Sequence, residues 1–181
     1  MPSSLALRTV LRASNPGRRT FSGSKRLARV VKVYDGDTIN VVTRLSARER
    51  HYEYPVRIAG IDAPEMRPLL SLPNRDLHKE AAVAVRDRLA ELIPVGSAVL
   101  IDYDGNEKFG RLLGTVHTLR RRHWWSCWEP DVNVADRLLQ EGMVLEYSGA
   151  AKVEFSEEQL RHIVAGRSLP LPAALPKSEE G

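Results

Sequence analysis

"VYDGDTINVV", residues 33–42, decides how the rest of the chain is read. Two carboxylates, Asp35 and Asp37, flank Gly36 just before a run of strand-forming residues. An Asp-Gly step between two apolar runs predicts a hairpin over "LARVVKVYDGDTINVVTRL". The same carboxylates also suit a hard cation, which takes oxygen ligands. A tight turn and one half of a cation site are both open from this stretch alone.

Working outward, "YEYPVRIAGID" predicts the next strand, with Val56, Ile58 and Gly60 on one face and Arg57 on the other. "APEMRPLLSLPNRD" has no clean period and reads as loop. "LHKEAAVAVRDRLAELI" predicts a helix whose stripe is Leu77, Ala81, Ala84, Val85, Leu89 and Leu92, ended by Pro94. "SAVLIDYDGNEKFGRLLGTVHTL" predicts two strands joined by a turn at Asp104-Gly105-Asn106. "RRRHWWSCWEPD" reads as a loop. "VNVADRLLQEGM" predicts a second helix stopped at Gly142, and "EFSEEQLRHIVAGRS" a third capped by Ser156. The order β-β-β-α-β-β-α-α predicts a β-rich α+β protein, a five-stranded OB-type β-barrel with two to three packed helices.

A length of 181 residues suits one domain with appendages. With 43% hydrophobic and 28% charged residues, the composition is that of an ordinary globular chain. No apolar run reaches the roughly 18 residues of a membrane span. One cysteine, Cys127, excludes an internal disulfide, and His117, His123 and Cys127 lack zinc spacing. Of the 27 basic side chains, eight precede Asp35, where there is no acid. The remaining 19 face 23 acids, a balance of −4, so the overall +4 does not by itself argue for a nucleic-acid partner.

The start of the chain has its own character. In "SLALRTVLRAS", Leu7, Val10 and Leu11 fall at helical spacing, with Arg8 and Arg12 on another face. A basic, serine-containing, acid-free amphipathic segment is expected to act as a mitochondrial transit peptide, with cleavage near Phe21–Ser22. A plain basic arm is the alternative. The expected organisation is a leader over 1–27, a catalytic domain over 28–165 and a proline-rich tail over 166–181.

The charged residues at the strand ends make chemical sense together. Asp37 and Asp62 supply two anions for Ca²⁺, and the Ala63 carbonyl offers a neutral third oxygen. Glu65 suits positioning or deprotonating a water. Arg57 and Arg111 suit phosphate oxygens, which guanidinium forks match. Taken singly, each of "DGD", "DAPE" and "FGR" is commonly no more than a turn or loop start. Their ordered combination points to phosphodiester chemistry.

"YDGDT", "VRIAGIDAPE" and "EKFGRLLGTV", in that order, resemble the three site segments of the staphylococcal nuclease (thermonuclease-like) family, and "VADRLLQEGMVLEY" resembles the helix and strand that follow. The similarity spans roughly residues 28–150. It implies a five-stranded OB barrel that hydrolyses single-stranded DNA and RNA with little sequence preference. It also implies Ca²⁺ held by Asp37, Asp62 and the Ala63 carbonyl, with Glu65 as general base or water-orienting group. Arg57 and Arg111 would sit on the scissile phosphate, and Lys108 and Tyr147 near a terminal phosphate and a base. Asp35 would shape the turn. The chain departs from the secreted bacterial enzyme at Ala63, which stands for Thr, and at Phe109, which stands for Tyr. It also lacks a lysine-rich loop after Glu65. A monomer is expected, and Arg57→Ala or Glu65→Ala is expected to cut the rate while leaving folding intact. The alternative is a non-catalytic OB-fold module that binds nucleic acid or protein and keeps the site by descent.

The segment 120–130 looks like an insertion. Its arginines with Trp124, Trp125 and Trp128 suit base stacking, contact with a membrane surface, or packing of the tryptophans onto the barrel.

Overall fold

The computed structural model describes residues 23–45, 50–70, 72–106, 110–121, 128–149 and 154–166. The chain begins with β1 (Ser24–Val33), β2 (Thr38–Thr43), β3 (Tyr52–Ile58) and the short β4 (Ile61–Asp62). Helix α1 (Arg75–Leu92) follows, then β5 (Ala98–Asn106), β6 (Leu112–Arg121), β7 (Trp128–Asn133), α2 (Val134–Gln140), β8 (Leu145–Glu146) and α3 (Glu157–Ala165). The expected β-rich α+β class is what is found. Six strands pair in the order β3-β2-β1-β5-β6-β7, and β4 and β8 form a separate pair. Neighbours run antiparallel, and one further pairing, β3 with β6, is parallel through Val56↔Leu112, Arg57↔Leu113 and Ile58↔Gly114.

Strand alternation builds the core. Val30, Ile39, Val41, Val56, Ile58, Val99, Ile101 and Val116 point to one side and are buried. Helix α1 lays Ala81, Ala84, Val85 and Leu89 against that core, as its apolar period predicts, with His78 and Ala82 buried as well. Leu77 and Leu92 from the same stripe are only partly buried. Burying one such aliphatic side chain contributes about 1.5–3 kcal/mol. Pro55, which lacks an N–H, sits in β3 where only the β2 side is paired.

Side chains cap the N-termini of α2 and α3. Ser156 accepts from the Gln159 N–H while the Gln159 side chain accepts from the Ser156 N–H, a reciprocal cap. Asn133 caps α2 by accepting from the Ala135 N–H at 3.0 Å. Asn74 precedes α1 in the left-handed region, and its side chain donates to Glu157 at 2.7 Å instead of capping. Arg88 of α1 grips Glu141 with two 2.8 Å hydrogen bonds, and Arg137 adds a third to the same carboxylate. Burial acts to raise the Glu141 pKa, but the two arginines outweigh it and hold the carboxyl below its usual range.

Four sequence expectations need correction. First, β1 starts at Ser24, so Ser24–Leu27, assigned to the leader, are paired with β5 from Ser24↔Tyr103 to Leu27↔Leu100. Second, Asp104-Gly105-Asn106 is not a turn: β5 runs through it, and a bulge between Tyr103 and Gly105 absorbs the glycine while pairing with β6 continues. Third, Arg120, Arg121 and Trp128–Pro130, expected in a loop, belong to β6 and β7, paired from Leu119↔Pro130 to Arg121↔Trp128, while residues 122–127 lie outside the described residues. The apolar and charged residues of these strand ends do not alternate, which hid them. Fourth, Gly60 does not continue the inward face of β3 but lies in the turn after it, at φ 80. The strands therefore exceed the five expected.

No helix among the described residues is long and apolar enough to cross a membrane. The leader up to Phe21, Lys108, Phe109, Trp124, Trp125 and the tail beyond Gly166 lie outside the described residues.

Candidate active site

The "DGD" turn is built by its own hydrogen bonds. The N–H groups of Tyr34 and Asp35 donate to the Thr38 carbonyl at 2.9 and 3.3 Å. The Asp37 N–H donates to Asp35 Oδ1 at 3.3 Å, so Asp35 shapes the turn. Gly36 is buried under α1. A Cβ there would lie 2.6 Å from Val85 Cγ1 and 2.7 Å from Ala63 Cβ, so only glycine fits. This close approach presses the turn against the segment that carries Asp62 and Ala63.

Asp37 and Asp62, from separate segments, meet at one guanidinium. Arg57 Nη1 donates to Asp37 Oδ2. Its Nη2 donates to Asp62 Oδ1 at 3.0 Å and to the Ile61 carbonyl at 3.2 Å. The Arg57 side chain is 11% exposed, and both carboxylates are buried. The Asp37 carbonyl also accepts from the Ile58 N–H at 2.8 Å, which locks the turn to the end of β3. Two buried anions on one cation give a cluster with a net charge of −1.

Arg111 joins through Thr38. Arg111 Nη1 donates to Thr38 Oγ1 at 3.1 Å, and that hydroxyl donates to Asp37 Oδ1 at 2.8 Å. Thr38 has no role in the sequence-based site. Its position after "DGD" was visible, but its function depends on register. Tyr147, delivered by the β4–β8 pair, places its ring 5.5 Å from Arg57 Cζ, and its N–H donates to the Gly60 carbonyl at 2.9 Å. Such contact adds cation–π attraction to the guanidinium.

The structure thus brings together Asp37, Arg57, Asp62, Arg111 and Tyr147, with Ala63 buried beside Gly36. Glu65 lies three residues past Asp62 and is exposed to solvent. Burial, followed by repulsion from Asp37, pushes the Asp35 carboxyl up to about 6.

The expectation that Arg57→Ala leaves folding intact does not fit this geometry. Removing the guanidinium would strand two buried carboxylates, and losing one partner of a buried pair costs about 3–5 kcal/mol.

Asp37, Asp62 and the Ala63 carbonyl are hard oxygen donors of the kind Ca²⁺ takes. Among the described residues, no group of three or more His, Cys, Asp or Glu side chains is placed to hold a metal ion. A cation held by Asp37, Asp62 and the Ala63 carbonyl would have to take its remaining ligands from water.

Trp128 is elsewhere. It stands exposed at the far end of β6 from Arg111, about 30 Å along the strand, with the Arg121 guanidinium 5.0 Å over its ring. No protein-family model matches this chain, and no curated protein matches it.

Proposed function

We propose that this chain is a Ca²⁺-dependent nuclease that hydrolyses phosphodiester bonds of single-stranded DNA and RNA with little sequence preference. The observation that carries this reading is the meeting of Asp37, Arg57, Asp62 and Arg111 from four chain segments at one end of the sheet. The β3–β6 pairing supports the OB-type barrel, because it returns the order β1-β2-β3 through β6 and β5 to β1.

Arg111 would pair the scissile phosphate, steadied by the Thr38 hydroxyl. Arg57, held flat by two carboxylates and covered by Tyr147, would add the second guanidinium. Charge that builds on the phosphoryl oxygens would meet donors already in place, which is where electrostatic catalysis gains most. Glu65, exposed at the rim, would orient the attacking water or take its proton. Bound Ca²⁺, held by Asp37, Asp62 and Ala63, would supply Lewis-acid polarisation of the phosphate. The leader's composition supports delivery to mitochondria. Trp128 and the adjoining tryptophans of the sequence support either strand stacking or contact with a membrane surface.

The alternative, a non-catalytic binding module, has one observation in its favour: Arg57 already pairs with one oxygen of each carboxylate, as in a structural ion cluster. Incubating the full chain with single-stranded DNA and RNA at low salt, under Ca²⁺, Mg²⁺ or EGTA, separates the two. Cleavage in Ca²⁺ that EGTA abolishes supports the nuclease. A folded protein that binds the strands and cleaves neither supports the module.

A further inference from the structure

Beside the cluster stands a tyrosine that the catalytic reading leaves unused. Tyr34 ends the β1 arm of the hairpin, and its N–H donates to the Thr38 carbonyl at 2.9 Å. The preceding registers are Val33↔Ile39 and Lys32↔Asn40, and Thr38 faces Arg57 across β2 and β3. Residues paired across neighbouring strands share a face. Tyr34, Thr38 and Arg57 therefore form one row across three strands, and Thr38 is the residue that holds Arg111. Two strand spacings separate Tyr34 from Arg57, roughly 10 Å. Thr38 is buried, but Tyr34 is 53% exposed. Lys32, on the same face, holds its Nζ 5.2 Å from the Tyr34 ring centroid. Arg29 is exposed further along β1.

We propose that Tyr34 is a stacking platform for the nucleobase next to the phosphate bound by Arg57 and Arg111, with Lys32 pairing the adjoining phosphate. The inference rests on the nuclease reading and names a substrate subsite for it. An exposed aromatic face stacks any base, so the platform adds affinity without sequence preference. It needs a base turned out of a stack, so it selects unpaired strand over duplex. Lysine contributes as a point charge that follows the backbone. The strand would pass Lys32 and Tyr34 on β1 and cross the hairpin to the two arginines.

The test uses the full chain with Glu65→Gln, so that the strand survives the measurement. Fluorescence anisotropy in Ca²⁺ compares a labelled oligothymidylate with an abasic strand of equal length. Adding Tyr34→Ala should weaken oligothymidylate binding roughly 5- to 150-fold, the range for losing one stacked base. It should leave the abasic strand unchanged, and Tyr34→Phe should bind as the parent does. Lys32→Ala should weaken both strands and reduce the salt slope by about one phosphate. If Tyr34→Ala binds oligothymidylate as tightly as the parent, or weakens both strands equally, the platform is refuted and the nuclease reading stands. If the parent binds neither strand, both fall.

Discussion

Replacing Arg57 is the most informative perturbation, because one guanidinium holds two buried carboxylates. Arg57→Ala removes the hydrogen bonds to Asp37, Asp62 and the Ile61 carbonyl and leaves two anions against one another. Breaking a buried pair costs about 3–5 kcal/mol, against a total stability on the order of 5–15 kcal/mol. The variant should fold at low temperature but melt roughly 10–20 °C below the wild type. Arg57→Lys, which keeps the charge and loses the fork, should fall between them. Adding Asp37→Asn to Arg57→Ala should restore part of the loss, because one stranded charge is gone. Urea unfolding followed by circular dichroism measures all four proteins. Repeating it with Ca²⁺ tests the cation site without any assay of activity. A ligand at a hundred times its Kd adds about 2.7 kcal/mol, and the gain should be larger in Arg57→Ala, where no guanidinium competes for the carboxylates. An Arg57→Ala variant within 1 kcal/mol of wild type would refute the cluster's energetic role. Equal unfolding with and without Ca²⁺ in both proteins would refute the cation site.

Gly36→Ala places a methyl within 2.7 Å of Val85 and Ala63, so it should destabilise by about 1–3 kcal/mol and displace Asp37; wild-type stability with full Ca²⁺ response would contradict this. Glu141→Gln should cost about 1–3 kcal/mol at neutral pH, read by thermal melts. The Glu141 pKa is depressed in the fold, so the network's contribution is intact above the ordinary value of 4.5 and is lost as pH falls through the lowered value. The variant's stability should therefore converge on wild type in acid, and a constant gap would argue against the network. The Tyr103 side chain is buried in the core, and burial pushes its phenol up to about 12 against the lowering effect of the Thr43 hydroxyl. Tyr103→Phe should cost about 0.5–1.5 kcal/mol if the hydroxyl bonds Thr43, and a gain in stability on thermal melting would refute that bond.

The regular elements were legible where one local period ran unbroken. The α1 stripe, the Ser156 cap and the β2 and β3 alternation all follow from short-range pattern. What failed were places where pairing overrode a local signal. Ser24, Lys25 and Arg26 read as leader because they are polar and basic, yet a ladder with β5 makes them strand. Asp104-Gly105-Asn106 carries strong turn residues, but a bulge accommodates the glycine. For the site, residue types were readable and roles less so. Arg57 was readable as a charged site residue, but not as the cation that pairs Asp37 and Asp62, because that depends on how the turn packs under α1. Thr38 and Tyr34 gain meaning only from register.

The start of β1 also changes the charge argument. Setting aside everything before Asp35 gave a body of −4, so net charge did not argue for a nucleic-acid partner. Lys25, Arg26, Arg29 and Lys32 lie in β1, so from Ser24 onward 23 basic side chains balance 23 acidic ones. Distribution then decides. Lys25 pairs with Asp102 at 3.4 Å, and Arg26 donates to the carbonyls of Lys25 and Leu45, so both serve the far end of the strand. Arg29 and Lys32 lie on the exposed side towards the hairpin that carries Tyr34 and the cluster. A balanced charge from Ser24 onward gives little long-range attraction for a polyanion. Its affinity must come from these few groups placed at the site, so binding should vary with salt by only a few phosphates' worth of counterion release.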